Sequence, residues 1–386
     1  MTTTGGRAAG QQAQGPAQPR QAVQSAAARP LSADVPRQVT ATTAEDRFAV
    51  LGCIIAAAGL VWVVYDRLLG LSGWVGFLAC WYAVFLALYW AVSAMEHPRP
   101  VVVDRLVAAA IHGAAVLVVV AVSSTIFYTF VEGRHALVHL NFYTQDMSAT
   151  PPNAPLTQGG ISHAIEGTLV EVLIATAISL PLGVGTAVFI SEVGGRFARA
   201  VRTVVEAMTA LPDILAGLFI YTTLIVHLGV SASGFAASTA LSVMMLPIIA
   251  RSAEVQLRVV PGGLREASLA LGAPRWRTVW RVVLPTARTG LATALILGIA
   301  RAIGETAPVL LTSGASTYFV NLLAHPLDLF RVPMNSLPLF IYTAFRAPQD
   351  PNNLARMWGA ASVLLGLVLV LFITARVLAR SRAGRS

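Results

Sequence analysis

Eight apolar runs dominate the sequence, and each is long enough to cross a lipid bilayer as a helix. An α-helix rises about 1.5 Å per residue, so about 20 apolar residues cover the hydrocarbon core. The runs predict an all-α, polytopic helical membrane protein with about eight transmembrane helices and with both termini on one side. The predicted spans cover residues 48–65, 71–95, 106–131, 168–191, 208–229, 235–252, 288–311 and 357–379.

The charge content supports this class and argues against a soluble protein. Only 12% of the residues are charged, whereas about a quarter are charged in an ordinary soluble domain. The net charge of +9 comes from arginine alone, because the chain contains no lysine. Such an excess in a soluble protein would suggest nucleic-acid binding, but here the arginines lie between apolar runs. We therefore expect them to orient the chain in a membrane, and we expect no nucleic-acid partner.

The arginines are distributed unequally between the two sides of the membrane. With the N-terminus inside, cytoplasmic segments hold 21 of the 27 arginines, which is the bias that the positive-inside rule describes. The predicted orientation therefore places both termini in the cytoplasm. The arginines expected outside are Arg67, Arg134, Arg331, Arg346 and Arg356, and the one left within a predicted span is Arg301.

Three segments are predicted to lie outside the membrane spans. Residues 1–47 have almost no large apolar side chains, so we expect a disordered cytoplasmic tail. Residues 132–167 and 312–356 are predicted to form short helices and loops that cap the outer side.

The sequence predicts neither catalysis nor a metal site in this chain. Cys53 and Cys80 both lie in apolar runs, where we expect small buried residues, and their spacing fits neither a disulfide framework nor a zinc site. No Ser-His-Asp or Cys-His arrangement can be assembled within one compartment. We therefore expect that this chain is not an enzyme and that it binds no metal and no cofactor of its own.

The cytoplasmic loop over residues 253–286 has the pattern of two short helices. The first is predicted to begin after Pro261 and to end at Gly272, and the second to begin at Pro274 and to end at Pro285. Such a pair could dock into a cleft of a partner protein or rest on the membrane surface, and the pattern alone favours neither. An apolar stripe at helical spacing follows the second helix: Trp276, Val279, Trp280 and Val283.

Arg301 falls inside a predicted span, where a charge is costly. It lies 13 residues beyond Arg288, about 20 Å along a helix, and a charge at that depth costs at least about 2.5–3.5 kcal/mol on insertion scales. We therefore expect it to face protein, water or a ligand, and its planar guanidinium matches phosphate oxygens. Glu305 is predicted one helical turn further on, on the same face. From these residues alone, the pair is either a ligand site or a structural ion pair.

The cytoplasmic loop also resembles the EAA loop of ABC-importer permeases. The matching residues, in order, are Glu266, Ala267, Ser268, Gly272, Leu284 and Pro285. The loop departs from the family pattern at Ser268, where alanine is usual, and at Val282, where isoleucine is usual. In that family the loop docks into a cleft of an ATPase subunit, so the resemblance favours docking. Since the chain has no Gly-x-x-x-x-Gly-Lys phosphate loop, ATP and Mg are expected on the partner ATPase.

Two further stretches, residues 246–266 and 298–308, resemble the PstA family of permease subunits from bacterial phosphate ABC importers. The second contains Ala-Arg-Ala-Ile-Gly-Glu-Thr-Ala-Pro, a run that is specific for phosphate permeases. The resemblance implies a six-span ABC permease domain over residues 101–386 and two additional helices over residues 48–100. The chain departs from the family at Asp213, which follows a proline where the family usually has Pro-Ser.

The resemblance implies a phosphate import permease of the bacterial cell membrane. Its expected partners are a second, PstC-like permease, PstB-like ATPase subunits and a PstS-like phosphate-binding protein. Arg301 and Glu305 match family positions implicated in phosphate passage. Arg251 and Glu254 are predicted to pair at the cytoplasmic end of the sixth span, either on the exit path or as an ordinary positive-inside anchor.

Three alternatives stay open at this point. The cargo could be another oxyanion, such as sulfate or molybdate. The chain could be an ion-coupled secondary transporter, although symmetric repeats and broken helices are not apparent in the sequence. It could also be a membrane scaffold for a phosphate-sensing kinase.

Overall fold

The computed structural model describes residues 44–322, 324–347 and 350–380, which form helices joined by short loops. These ranges contain no β-strand beyond one isolated bridge between two loops. Seven of the described helices are long and apolar enough to cross a membrane, and one bent pair brings the number to eight. The predicted all-α polytopic class is therefore confirmed.

The described chain contains fourteen α-helices, four of which continue into a turn of π-helix. The α-helices are α1 (Ala44–Val61), α2 (Trp74–Glu96), α3 (Arg99–Leu137), α4 (Asn141–Thr144), α5 (Ser162–Val188), α6 (Gly195–Thr209), α7 (Asp213–Ile220), α8 (Gly234–Val259), α9 (Gly262–Ala270), α10 (Arg275–Thr278), α11 (Leu284–Ile303), α12 (Ala307–Thr312), α13 (Leu337–Phe345) and α14 (Pro351–Arg380). The π-helical turns follow α1, α5, α7 and α10, at Trp62–Leu68, Phe189–Val193, Tyr221–His227 and Val279–Val283.

The chain divides into two compact units after Leu117, within α3. In the first unit, α1 packs against α2 through a small buried cluster that includes Cys53 and Phe85. Cys80 is exposed on α2, so the expectation that both cysteines are buried holds for Cys53 alone. Residues 1–43 of the predicted tail lie outside the described residues. The predicted boundary between the tail and the additional helices stays a prediction.

The second unit is built around α8. In an apolar stretch of 18 residues of α8, 61% is buried, against at most 28% in the corresponding stretches of the other long spans of the described chain. Gly183 of α5 and Gly298 of α11 both pack against Ile249 of α8, and a Cβ at either glycine would lie within 2.8 Å of the Ile249 side chain. Small residues at helix contacts allow such close approach in membranes. The three helices α5, α8 and α11 therefore form one tightly packed block.

The fifth predicted span is wrong as a single straight helix. Residues 208–229 instead contain the end of α6 and the whole of α7, and the two helices meet at an angle of 103°. Leu211 precedes a proline, which disfavours the helical conformation at that position, and Pro212 itself adopts an extended conformation before α7. Hydropathy continues across this break although the helix does not.

The seventh predicted span is displaced along the sequence. The observed helical segment runs from Arg275 to Ile303, and Gly304 separates it from the short α12. Pro285 was predicted to end a helix, yet it lies in the first turn of α11 within a continuous helical segment. The preceding π-helical turn explains this, since local π geometry accommodates a proline within a membrane helix.

Two predicted outer segments, residues 132–167 and 312–356, contain short helices and loops in the described ranges. Asp146 joins them, because its carboxylate accepts hydrogen bonds from the backbone N–H groups of Ser148 and Phe319 at 3.1 and 2.9 Å. Burial raises the pKa of the Asp146 carboxyl. The hydrogen bond from the Ser148 hydroxyl, the two backbone N–H bonds and the charge of His163 together lower this pKa by more, so it lies below the usual value.

The side chain of Arg356, near the start of α14, binds the backbone of the segment 132–167. Its side chain is 1% exposed. Its guanidinium donates at 2.8–2.9 Å to four backbone carbonyl oxygens, those of Pro152, Ala154, Pro155 and Gln158. The predicted outer arginine is therefore an internal support and not a surface charge.

We expect Arg356→Leu to lower the thermal stability of the protein strongly. Leaving a buried acceptor without a partner costs about 1–3 kcal/mol, and four carbonyl groups would lose their donor. The midpoint of thermal unfolding in detergent measures the effect. Arg346→Leu is the matched control, since Arg346 is exposed and should tolerate the change. Equal midpoints for the two variants would contradict this role of Arg356.

Candidate functional site

Arg301 lies between two carboxylates at a junction of broken helices. It occupies the last turn of α11, and its Nη1 lies 3.0 Å from Oε1 of Glu305. Its Nη2 donates to the carboxylate of Asp213, the first residue of α7. Glu305 was predicted on the same helix as Arg301, but it lies beyond the end of α11, and the pair forms across the break. Opposite charges at these helix ends also complement the helix dipoles.

The Arg301 guanidinium opens onto a small cavity of about 100 Å³. The Arg301 side chain is 47% exposed and that of Asp213 36%, whereas Glu305 is only 10% exposed. Arg301 and Asp213 line the cavity together with apolar residues of α6 and α8, among them Met208, Val243 and Ile248. Asp213 is therefore the carboxylate that faces the cavity beside the arginine.

Arg251 and Glu254 were predicted to pair with each other, and this is wrong. Arg251 bonds to Glu206 of α6 at 2.6 Å. The Glu254 side chain is 5% exposed and accepts hydrogen bonds from Arg202 of α6 and Arg258 of α8 at 2.7 and 2.6 Å. The packing of α6 across α8 supplies these partners, which a pattern within one helix cannot indicate.

The first EAA-like residues lie on a compact elbow formed by two short helices, α9 (Gly262–Ala270) and α10 (Arg275–Thr278). Glu266, Ala267 and Ser268 belong to α9, which ends in a glycine cap at Gly272 with φ of +81°. The amide of Gly272 donates to Leu269 at 2.9 Å, and the following amide donates to Ser268 at 3.2 Å. This two-bond pattern is the Schellman motif. The predicted glycine cap is therefore present.

The rest of the predicted loop differs in detail. Ser268 contacts Thr278 of α10 through their hydroxyl oxygens at 2.9 Å, which fixes the angle of the elbow. Leu284 and Pro285 lie in the first turn of α11, so the second predicted helix is the beginning of a membrane span. The residues of the predicted apolar stripe also differ in burial, because Val283 is buried whereas Trp276 and Trp280 are 63% and 69% exposed.

Arg265 fastens the elbow to the membrane helices and was not singled out from the sequence. It contacts Glu192, in the π-helical turn after α5, at 2.9 Å. It also donates to the carbonyl oxygens of Leu257 and Val260, at the end of α8, at 2.8 and 2.7 Å. An arginine immediately before the EAA-like triplet was visible in the sequence, but its partner lies 73 residues away.

Comparison with known proteins places this geometry in a family. Residues 179–384 match the family model of the binding-protein-dependent transport system inner membrane component. The phosphate transport system permease protein PstA 1 of Mycobacterium tuberculosis H37Rv is 40% identical over 247 residues, which cover 64% of this chain and 77% of that protein. PstA of Mycobacterium leprae is 42% identical over 237 residues, or 61% and 75% of the two chains.

More distant proteins also match a part of the chain. PstA of Xylella fastidiosa 9a5c is 35% identical over 231 residues, covering 59% of this chain and 77% of that protein. Among solved structures, an inward-facing MetNI methionine ABC transporter matches with a TM-score of 0.44 and 24% identity, over 57% of this chain and 94% of that chain. The chain belongs to the binding-protein-dependent transport system inner membrane components and, within that family, to the PstA phosphate permeases.

Proposed function

We propose that this chain forms one half of the translocation path of an ATP-driven phosphate importer, and that phosphate passes Arg301. The observation that carries the proposal is the half-exposed guanidinium of Arg301 on a cavity between broken helices. A planar guanidinium can donate two parallel hydrogen bonds to a phosphate. The flanking carboxylates of Asp213 and Glu305 offset its charge, which suits a site that must release its anion.

Coupling to the ATPase would run through α9. The Schellman cap at Gly272 and the Ser268–Thr278 contact make the elbow compact, as docking into a cleft requires. Leu271 and Trp276 present exposed apolar surface beside it. Arg265 links α9 to α5 and α8, so a displacement of the elbow would be passed to both helices.

The partners follow from family membership, and their identities are part of the proposal. A permease of this family works with other transporter subunits and is not itself an enzyme. We propose a PstC-like second permease, PstB-like ATPase subunits that hold ATP and Mg, and a PstS-like binding protein on the outer side. Both termini would be cytoplasmic. ATP binding would close the ATPase pair, move the coupling elbows and open the path outward.

An ion-coupled secondary transporter is the rival that one observation favours. Broken helices mark the sites of many such transporters, and the described chain has two breaks, before Asp213 and at Gly304. The sequence showed neither break. The source of energy therefore has to be tested directly.

Reconstitution in liposomes tests the proposal. With the second permease, the ATPase subunits and the binding protein present, we expect uptake of radiolabelled phosphate that requires ATP. Uptake should persist when ionophores dissipate the ion gradients, and an excess of sulfate or molybdate should not compete. Omission of the ATPase is the control and should abolish uptake. Phosphate uptake that is driven by an ion gradient without the ATPase would overturn the proposal.

A further inference from the structure

We propose that Asp213 determines anion selectivity, so that the site prefers tetrahedral oxyanions that carry an O–H group over fully deprotonated ones. This inference rests on the proposed function, since it assumes that an anion reaches Arg301. It concerns a carboxylate that lies 88 residues from Arg301 in the chain and meets it only through the fold.

The first step of the argument is the position of the carboxylate. Asp213 bonds directly to Nη2 of Arg301 and lines the same cavity. Glu305 bonds to the other terminal nitrogen of the guanidinium, is largely buried, and is not part of the cavity wall. An anion that approaches Arg301 through the cavity therefore meets Asp213 before Glu305.

The second step is the hydrogen-bonding chemistry of that carboxylate. An ionised carboxylate only accepts hydrogen bonds, so it can bind an oxyanion only through a hydrogen atom on that anion. Hydrogen phosphate and hydrogen arsenate carry one and can donate to Asp213 while they accept from Arg301. Sulfate carries none at neutral pH, so its oxygens would face a like charge without a bridging proton.

The third step concerns the size of the effect. A site whose polar group is built to pair with a ligand hydroxyl rejects an analogue that lacks it, because the group is left unpaired. Hydrogen bonds to charged groups are among the stronger ones in proteins. Since Asp213 is about one third exposed, water moderates this preference. We therefore expect a preference of about tenfold rather than the far larger factors of a closed site.

The experiment measures anion binding to the permease–ATPase complex without the binding protein, which would otherwise select the anion first. The probes are inorganic phosphate, arsenate and sulfate, and equilibrium dialysis with radiolabelled phosphate reports direct binding and competition. In the wild type, arsenate should compete about as well as phosphate, and sulfate about tenfold less well. In Asp213→Ser, sulfate should approach phosphate to within about threefold, because the like charge is gone.

Two further variants keep the test decisive. Asp213→Asn preserves the shape of the side chain and adds an N–H donor, so it should also raise sulfate binding. It therefore provides the test in case the serine variant folds poorly. Glu206→Gln is the matched control, because it removes a half-exposed carboxylate that pairs with a different arginine, Arg251. Its selectivity should equal that of the wild type.

The outcomes separate this inference from the function on which it rests. If phosphate binding per amount of folded complex is present in the wild type and lost in Arg301→Gln, but both Asp213 variants keep the wild-type selectivity, the role of Asp213 is overturned and the proposed path stands. If phosphate binding survives Arg301→Gln, the proposed path through Arg301 is overturned, and the role of Asp213 with it.

Discussion

Phosphate uptake is expected to fall about tenfold or more in Arg301→Lys, with the amount of folded complex unchanged. Lysine keeps the positive charge but lacks the planar fork. In the observed site the two terminal nitrogens of Arg301 bond to different carboxylates, Glu305 and Asp213, and one ammonium cannot reproduce that arrangement. Loss of one charge-assisted hydrogen bond accounts for a factor of this size. Uptake of radiolabelled phosphate, normalised to folded complex, measures it.

A neutral variant separates a phosphate contact from a structural ion pair. Arg301→Gln alone leaves two carboxylates without their partner, so less folded complex is expected. The triple variant Arg301→Gln, Asp213→Asn and Glu305→Gln removes all three charges. If Arg301 contacts phosphate, this variant should be produced normally and still fail to transport. Uptake near the wild-type rate would show that the arginine only balances the two carboxylates.

Gly272→Pro is expected to abolish ATP-driven transport while the chain still inserts into the membrane. Gly272 has φ of +81°, whereas proline is restricted to about −65°. Proline would also remove the N–H that donates to Leu269 at 2.9 Å. The cap that ends α9 would therefore be lost, and with it the angle between the two arms of the elbow. Phosphate uptake and co-purification of the ATPase are the two measurements.

Two comparison variants identify the cause of that loss. Apart from the adjacent chain and the backbone of the same helix, no heavy atom lies within 4 Å of a Cβ built at Gly272 or at Gly263, so alanine creates no clash with another part of the protein at either position. Gly272→Ala should be intermediate, since the left-handed conformation costs a residue with a side chain about 1–2 kcal/mol. Gly263→Ala lies within α9 and should be silent. Glu266→Arg should uncouple transport as well, and unchanged transport in both Gly272→Pro and Glu266→Arg would contradict the docking role.

The sequence predicted the number of spans better than their shapes. Apolar length depends on composition, so it indicated eight crossings, and the structure has seven long helices and one bent pair among its described residues. The length of an apolar run does not show where a helix bends or ends within it. The bend before Asp213 and the break at Gly304 were therefore missed. Pro285 was misjudged for a related reason, because its effect depends on the π-helical turn that precedes it.

The sequence indicated that Arg301 and Glu305 form a pair, which the structure contains, but it did not indicate Asp213 as the second partner of Arg301. Arg301 could be identified because a charge within an apolar run requires an explanation. The partner on α7, Asp213, lies 88 residues away in the chain, and no local pattern connects the two. Arg251 and Glu254 were paired by helical spacing, yet both find partners on α6. Spacing limits which residues can meet, whereas packing between helices decides which of them do.

The packing of α5, α8 and α11 around Ile249 bears on how such a permease can evolve. The glycines at 183 and 298 leave no room for a side chain, so this block has little freedom to vary. Arg301 and Asp213 lie instead at the ends of interrupted helices, away from the contacts that these glycines make with Ile249. If the anion passes Arg301 and Asp213 as proposed, a lineage could exchange one oxyanion for another by altering helix ends alone, with its membrane framework inherited unchanged.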